Sequence, residues 1–416
     1  MLKLVVKPFH RCLSGQLMPP IKLLLLLCGT EILTMAPFSA VPALLPQLSL
    51  NWHMNATQAG LLGGSYFLGY LASISHLSGA TDRLDAKKIY IAGCLLAGIG
   101  SFLFLVIARN WYLGCLAQLL CGAGLAGTYM PGLRALTDRL PDYLQTRYVA
   151  FYTSTFGIGA SVSYAMTGGI SHLFSLNSVF IINAILPLLA AIVTHILLKP
   201  IHHKTKITRT LLTGQVQALK DKLIRNFIMG YAVHCWELFA FRSWIVVILT
   251  EALHGRYSAT LTAALINLIG IPASILGNEF ASTRSRSHFI KRVMMLSGIL
   301  AWGCGLFVYH IEILLILLPL YFFFVMADSG ALTAGLISVT PKTVRGATMA
   351  IYSLAGFGAG FIGPIIVGMV LDLLGGQHHL IAWFFACGSM GLGSLIMSFK
   401  FNGHTVSEVL VKNHAD

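Results

Sequence analysis

Apolar runs follow one another along almost the whole chain, each closed by a short polar break. Twelve are long and continuous enough to be read as helices crossing a bilayer, which takes about 20 residues each. They fall at 21–45, 57–79, 89–108, 112–133, 149–172 and 178–198, then at 227–250, 258–280, 290–309, 313–335, 347–371 and 379–399. Strands of a membrane barrel would be half as long and would alternate in polarity, so the pattern predicts helices. The polar break at 199–226 divides six spans from six. The expected plan is an N-terminal six-helix bundle over 1–198, a cytoplasmic connector over 199–226, a C-terminal six-helix bundle over 227–400 and a cytoplasmic tail over 401–416. Within the connector, "QVQALKDKLI" has the makings of an amphipathic interfacial segment.

Composition sharpens this picture. Of 416 residues, 56% are hydrophobic and only 10% charged, with mean hydropathy +0.78. Soluble domains carry about 25% charged residues, so this chain lacks the means to cover a water-facing surface. It reads as an all-α polytopic membrane protein with no sizeable soluble domain. The stretch "KLLLLLCGTEIL" follows a basic start like a signal peptide, but it runs on past the usual apolar length and contains Glu31, so it is read as the first span. The eight cysteines are scattered without a CxxC pair and predict free thiols, with no disulfide framework or zinc site. "NAT" at 55–57 matches a glycosylation acceptor, a pattern short enough to arise by chance.

Charge sets the orientation. With a cytoplasmic amino terminus, 25 of the 28 Lys and Arg fall on the inside, Arg109 and Arg256 outside, and Arg242 within a span. That positive-inside bias places both termini in the cytoplasm of a cell inner (plasma) membrane protein. The formal charge of +14 is then loop charge facing anionic lipid, and nucleic acid is not an expected partner.

The two halves echo each other. "SGATDRLDAKK" (78–88) follows span 2 and "GNEFASTRSR" (277–286) follows span 8, while Pro141 and Pro341 introduce spans 5 and 11 at a separation of 200 positions. A duplicated six-helix unit is the simplest account. In the first of these loops the chain resembles the major facilitator superfamily of secondary transporters, which writes G-x-L-A-D-R-x-G-R-R there. Asp82 and Arg83 match, Lys87 and Lys88 supply the later positive charges, and Ser78 and Asp85 stand where glycines are usual. The resemblance extends over essentially the full length. It implies twelve transmembrane helices in two pseudo-symmetric six-helix bundles, with spans 1, 4, 7 and 10 lining a central cavity. It also implies a cytoplasmic gate, for which Asp82, Arg83, Lys87, Lys88, Arg134, Arg147, Glu279, Arg284 and Arg345 are the candidates. Gln118 occupies the place of a span-4 arginine linked in the family to proton coupling. Span 5 lacks the proline of the drug-antiporter pattern, and spans 2 and 8 lack the arginines of the nitrate branch.

Candidate chemistry is concentrated inside the spans. "HCWELFAFRSW" (234–244) places His234, Glu237 and Arg242 on rather less than half the circumference of span 7, at about 100° per residue. Charged side chains facing lipid cost a few kcal/mol or more, so that sector is expected to face the interior. Glu31 and Asp328 share the predicament, whereas Asp372 lies near a helix end, where a charge satisfied by a neighbouring helix or simple solvation is the expected reading. Glu31, Glu237 and Asp328 are the proton-coupling candidates, Glu31 first, expected to converge with Arg242 on one chamber. Arg242, His234, Trp236, Gln118, Tyr129 and Met130 are the substrate-cavity candidates. Arg242 is the natural partner of an anionic substrate group, or of Glu237 when the site is empty.

No P-loop, HExxH or nucleophile–base set is present, so neither ATP-driven transport nor an intramembrane enzyme is expected, and no cofactor or metal is implied. The expected function is secondary active transport of a small solute by alternating access, proton-coupled, with an organic anion or amino acid as the candidate solute. The alternative is an uncoupled facilitator or a transporter-like sensor on the same scaffold. Titration of the cavity acids discriminates the two.

Overall fold

The computed structural model describes residues 18–201, 218–256, 258–283, 285–341 and 344–401. Among the described residues there are helices and no strand. They are α1 (Pro20–Thr34), α2 (Ala40–Asn51), α3 (Ala56–Ala80), α4 (Ala86–Ile107), α5 (Trp111–Thr137), α6 (Asp142–Leu173) and α7 (Leu176–Leu197). After the connector come α8 (Lys222–Leu253), α9 (Ala259–Thr283), α10 (Arg286–Leu306), α11 (Ile311–Ala327), α12 (Ser329–Val339), α13 (Arg345–Leu373) and α14 (Leu380–Lys400). Among the described residues nine stretches are long and apolar enough to cross a membrane, α11 and α12 counting as one. α3 and α6 have the length, but Gly, Ser, Thr and Tyr dilute their apolar content. Most of the expected connector and of "QVQALKDKLI" lies outside the described residues.

Helix starts follow the polar residues at the ends of the apolar runs. Asp85, Asn110, Ser175 and Asp221 each accept a backbone N–H of the turn they introduce, satisfying donors that the helix itself leaves unpaired.

Two expected spans are interrupted. Span 1 breaks over 35–39 because Pro37 lacks an N–H and disfavours helical geometry at Ala36. The exposed backbone groups are recovered by α6: Ser39 N donates to Ser163 Oγ (2.9 Å), which in turn donates to Ala36 O (2.6 Å). Span 10 breaks at Asp328, between α11 and α12. Irregular backbone at membrane depth is tolerated where protein encloses it.

The helices pack as two groups, α1–α7 and α8–α14. Two seams carry most of the contact between them, α3 against α13 and α6 against α9. Exchanging the halves converts one seam into the other, as a duplicated unit requires. The α3–α13 seam is tight at one end and open at the other. A Cβ on Gly60 would collide with Pro364 O, and one on Gly368 with Ala56 O, whereas Cβ atoms on Gly79 and Gly346 would meet nothing within 4 Å. The two groups therefore splay apart toward the end that carries the Asp82 loop.

Candidate functional site: buried charges on either side of an aromatic seam

α8 is the centre of the molecule. Its most apolar 18-residue window is 83% buried, against 33–56% for the other candidate spans. Because neighbours surround it, the sector holding His234, Glu237 and Arg242 meets several different environments. The three side chains are all buried, as charge in a bilayer requires, but they do not share one chamber.

Glu237 points into its own bundle. Its Oε2 accepts from Ser297 Oγ of α10 at 3.1 Å and from Ser394 Oγ of α14, and Tyr321 of α11 lies close to it. Oε1 has no hydrogen-bond partner among the described residues. The expected Glu237–Arg242 pair is not formed. His234 instead places Nδ1 2.7 Å from Asp328 Oδ1, a close approach that is not aligned as a hydrogen bond. Asp328 is also near enough to Glu237 to repel its charge. The helix break at Asp328 thus delivers a carboxylate to His234 of α8.

Glu31 belongs wholly to the other bundle. It is fully buried, with Tyr152 Oη 3.2 Å from its Oε2. Tyr66, Tyr70, Tyr90 and Tyr129 are close enough to feel its charge. A tyrosine cage of this kind offers hydroxyls to either form of the carboxyl. Among the described residues Glu31 makes no contact with the other acids, so the convergence expected from sequence is not formed in this conformation: tyrosines surround Glu31, and serines and His234 meet the others. Tyr70 stacks on Phe357 at 3.6 Å and Phe67 lies 4.2 Å from Phe239, so aromatic rings from both bundles fill the seam at mid-depth.

Arg242 sits in that layer. Its Cζ lies 5.5–5.9 Å from the rings of Phe38 and Phe156 of one bundle and Phe322 of the other. Nε donates to Asn267 Oδ1 at 2.9 Å, and Tyr164 of α6 donates to the Arg242 carbonyl across the seam.

Tyr129 joins the layer by an edge contact with Phe156 at 5.2 Å, and Met130 is partly buried against the hydrophobic core. Gln118 is buried on α5, nearer that helix's first turns. Trp236 turns away from the seam and donates Nε1 to Ser389 O of α14 at 3.1 Å, so it does not line it. Trp244, on the seam side, donates to Pro364 O at 3.0 Å.

The expected gate charges pair within their own bundles. Asp82 is 3.9 Å from Arg134, which also grips Asp138 at 2.8 Å, one helical turn on. Arg83, Lys88 and Glu279 are exposed. Lys87 Nζ donates to His195 O at 2.8 Å, Arg147 stands over its helical neighbour Phe151, and Arg345 reaches Ile337 O. Arg284 lies outside the described residues. Among the described gate candidates these contacts stay within one bundle, and the helix ends that bear them are splayed apart.

Two groups have partners that the sequence reading did not identify. Asp85, in place of a motif glycine, is buried and paired with Arg139, whose Nη2 lies 2.9 Å from both of its oxygens. Ile201 N donates to the same carboxylate and Arg139 holds Lys199 O, tying the start of the connector to α4 and α5. The signal was an Asp immediately before an apolar run, a helix-cap position. Asp372 is the other. At the tight end of the seam its Oδ1 accepts from Ala56 N (2.9 Å), and its Oδ2 from Thr57 N (2.8 Å) and Thr57 Oγ1 (2.6 Å). Nothing in the local sequence links residues more than 300 positions apart.

A family model described as Major Facilitator Superfamily matches residues 27–364. The enterobactin exporter EntS of Citrobacter koseri is 29% identical over 177 residues, which is 42% of this chain and 40% of that protein. Among solved structures, a bacterial homologue of the human lysosomal transporter Spinster, inward-facing and unoccupied, superposes with a TM-score of 0.75 at 14% identity, covering 92% of this chain and 96% of that one. The nucleoside transporter NupG gives 0.69 at 16% identity, with 91% and 98% covered. The Escherichia coli fucose:proton symporter FucP gives 0.63 at 15% identity, with 92% and 100% covered. At these identities the structural likeness speaks for the fold alone.

Proposed function

The chain belongs to the Major Facilitator Superfamily, a membrane transporter and not an enzyme, and from that premise we propose that it moves a small solute by proton-coupled alternating access. Twelve crossings, with α1–α2 and α11–α12 each counted as one interrupted crossing, and both termini in the cytoplasm complete this reading. The positive-inside bias then makes the splayed end the cytoplasmic one.

One observation carries the coupling: each bundle encloses carboxyl groups, Glu31 on one side and Glu237 with Asp328 on the other, on helices adjoining the moving seam. Burial disfavours the charged form of a carboxyl unless a partner compensates it. Rearrangement of the tyrosine cage or of the His234–Asp328 contact as the bundles rock changes that compensation, and so changes whether the proton is held. Glu31 is the leading coupling group. Glu237 and Asp328, with His234 between helices, form the second.

The test is uptake into proteoliposomes driven by an imposed proton gradient, over a panel of organic acids, nucleosides, sugars and amino acids. Glu31→Gln is expected to abolish accumulation against a gradient while exchange persists at a comparable rate, and Glu237→Gln to do so at least partly. Accumulation that survives both changes overturns the assignment of coupling to these acids, whereas a native protein that equilibrates its solute without accumulating it is an uncoupled facilitator.

A further inference from the structure

Arg242, like the Asp85-paired Arg139, cannot be neutralised by proton transfer, since a guanidinium stays protonated in proteins. It is 3% exposed. Among the described residues no carboxylate lies within 4.0 Å of it, the acid expected to pair with it being held by serines instead. Tyr164 and Cys235 are close enough to interact with its charge. Nη1 is buried without a hydrogen-bond partner. Its compensation consists of the Asn267 oxygen and the faces of Phe38, Phe156 and Phe322. Cation–π contacts of this kind contribute about 0.5–2 kcal/mol each and offset part of the several kcal/mol that withdrawing an ion from water costs, but they supply no counter-charge. The site is short of one negative charge, and it lies where rings of both bundles meet.

We propose that Arg242 binds the carboxylate of an aromatic carboxylic acid, whose ring stacks among Phe38, Phe156 and Phe322. This deepens the transport reading and rests on it: the anion would supply the missing charge, and its ring would replace phenyl contacts that part when the bundles rock. A carboxylate suits the guanidinium's planar donor edge, while the apolar walls disfavour a small hydrated anion.

The experiment is a thermal-shift titration of the detergent-solubilised full chain with benzoate, with acetate (charge without ring) and benzyl alcohol (ring without charge) as comparisons. Benzoate is expected to stabilise the protein, and the other two to have little effect at equal concentration. Arg242→Lys should weaken the benzoate effect about tenfold in concentration, the loss of a planar fork, and Arg242→Gln should remove it. Phe156→Leu, which keeps the charge and an apolar wall, should weaken benzoate while leaving acetate unchanged. No benzoate shift in the unmodified protein, or an equal shift in Arg242→Gln, overturns the assignment. Proton-driven uptake of a cationic or neutral solute alongside a silent benzoate titration would sink this inference and leave the transport reading standing.

A different observation carries a second inference. The first turn of α3 has three backbone N–H groups with no helical partner. Asn55 takes that of Gln58, and Asp372, from the other bundle, takes those of Ala56 and Thr57. The carboxylate thus faces the positive end of a helix dipole, where a negative charge is stabilising. We infer that Asp372 is the latch of the sealed end, because these bonds form only while α3 and α13 touch. The test is maleimide labelling of Ser243→Cys, which faces Gly63 in the seam, in a background without the natural cysteines. Asp372→Ala should raise the labelling rate several-fold from the sealed side. Equal rates, together with unchanged hydrogen exchange along α3, would overturn it; transport is not needed for the reading.

Discussion

Asp85 and Arg139 pair at the mouth of the connector with side chains 5% and 3% exposed. Burial by itself pushes the Asp85 carboxyl up, but the Arg139 hydrogen bond and the amides of Lys87 and Ile201 outweigh it and hold the carboxyl below its ordinary value. A carboxyl depressed in the folded state stabilises the fold above its unfolded pKa, and that contribution is lost as the pH falls through the folded one. Melting temperatures of the native protein and of Asp85→Asn should therefore differ most at neutral pH and converge in acid below the usual carboxylate range. At neutral pH the variant leaves the buried Arg139 without its carboxylate, held only by carbonyls such as Lys199 O and Ala135 O, a loss of about 3 kcal/mol. A difference that grew toward acid pH would contradict the pairing. This carboxylate was legible as a helix cap; its partner, 54 positions away, was not.

At the scale of elements, the departures from the expected spans are the two interruptions. Pro37 announces the first in the sequence, but what makes it tolerable is Ser163, 124 positions from Ser39. Ser163→Ala removes both an acceptor and a donor and leaves Ser39 N and Ala36 O without partners. A loss of about 1–3 kcal/mol is expected, the cost of stranding a buried polar group, read as a lower melting temperature in detergent. Ser161→Ala, whose hydroxyl only returns to its own helix at Gly157 O, should be near neutral. The second interruption had no proline to mark it. Asp328 was read as a charge within a continuous helix, and only the contact with His234 shows why the chain breaks there.

For the whole molecule, the seams decide what can move. α3 and α13 touch by backbone at one end and are clear of each other at the other, so closing the open end must part the tight one. A side chain at Gly60 has no room beside the Pro364 carbonyl. Gly60→Leu should therefore disfavour the sealed conformation and lower uptake at least tenfold, with the protein still inserted and folded. Gly169→Ala, which would meet nothing within 4 Å, is the matched control. Unchanged uptake in Gly60→Leu would mean that the α3–α13 contact is not part of the transport cycle.

The sequence alone determined that the chain is helical and membrane-embedded, that its halves are related, and that His234, Glu237, Arg242, Glu31 and Asp328 must be shielded from lipid. Those conclusions rest on the cost of polar groups in hydrocarbon, which acts on every residue regardless of its neighbours. Tertiary structure decided which charge meets which partner: serines for Glu237, Asp328 for His234, phenyl rings for Arg242, and a helix end of the opposite bundle for Asp372. Periodicity says that a face is buried, but on a helix enclosed all round, as α8 is, it does not say against what.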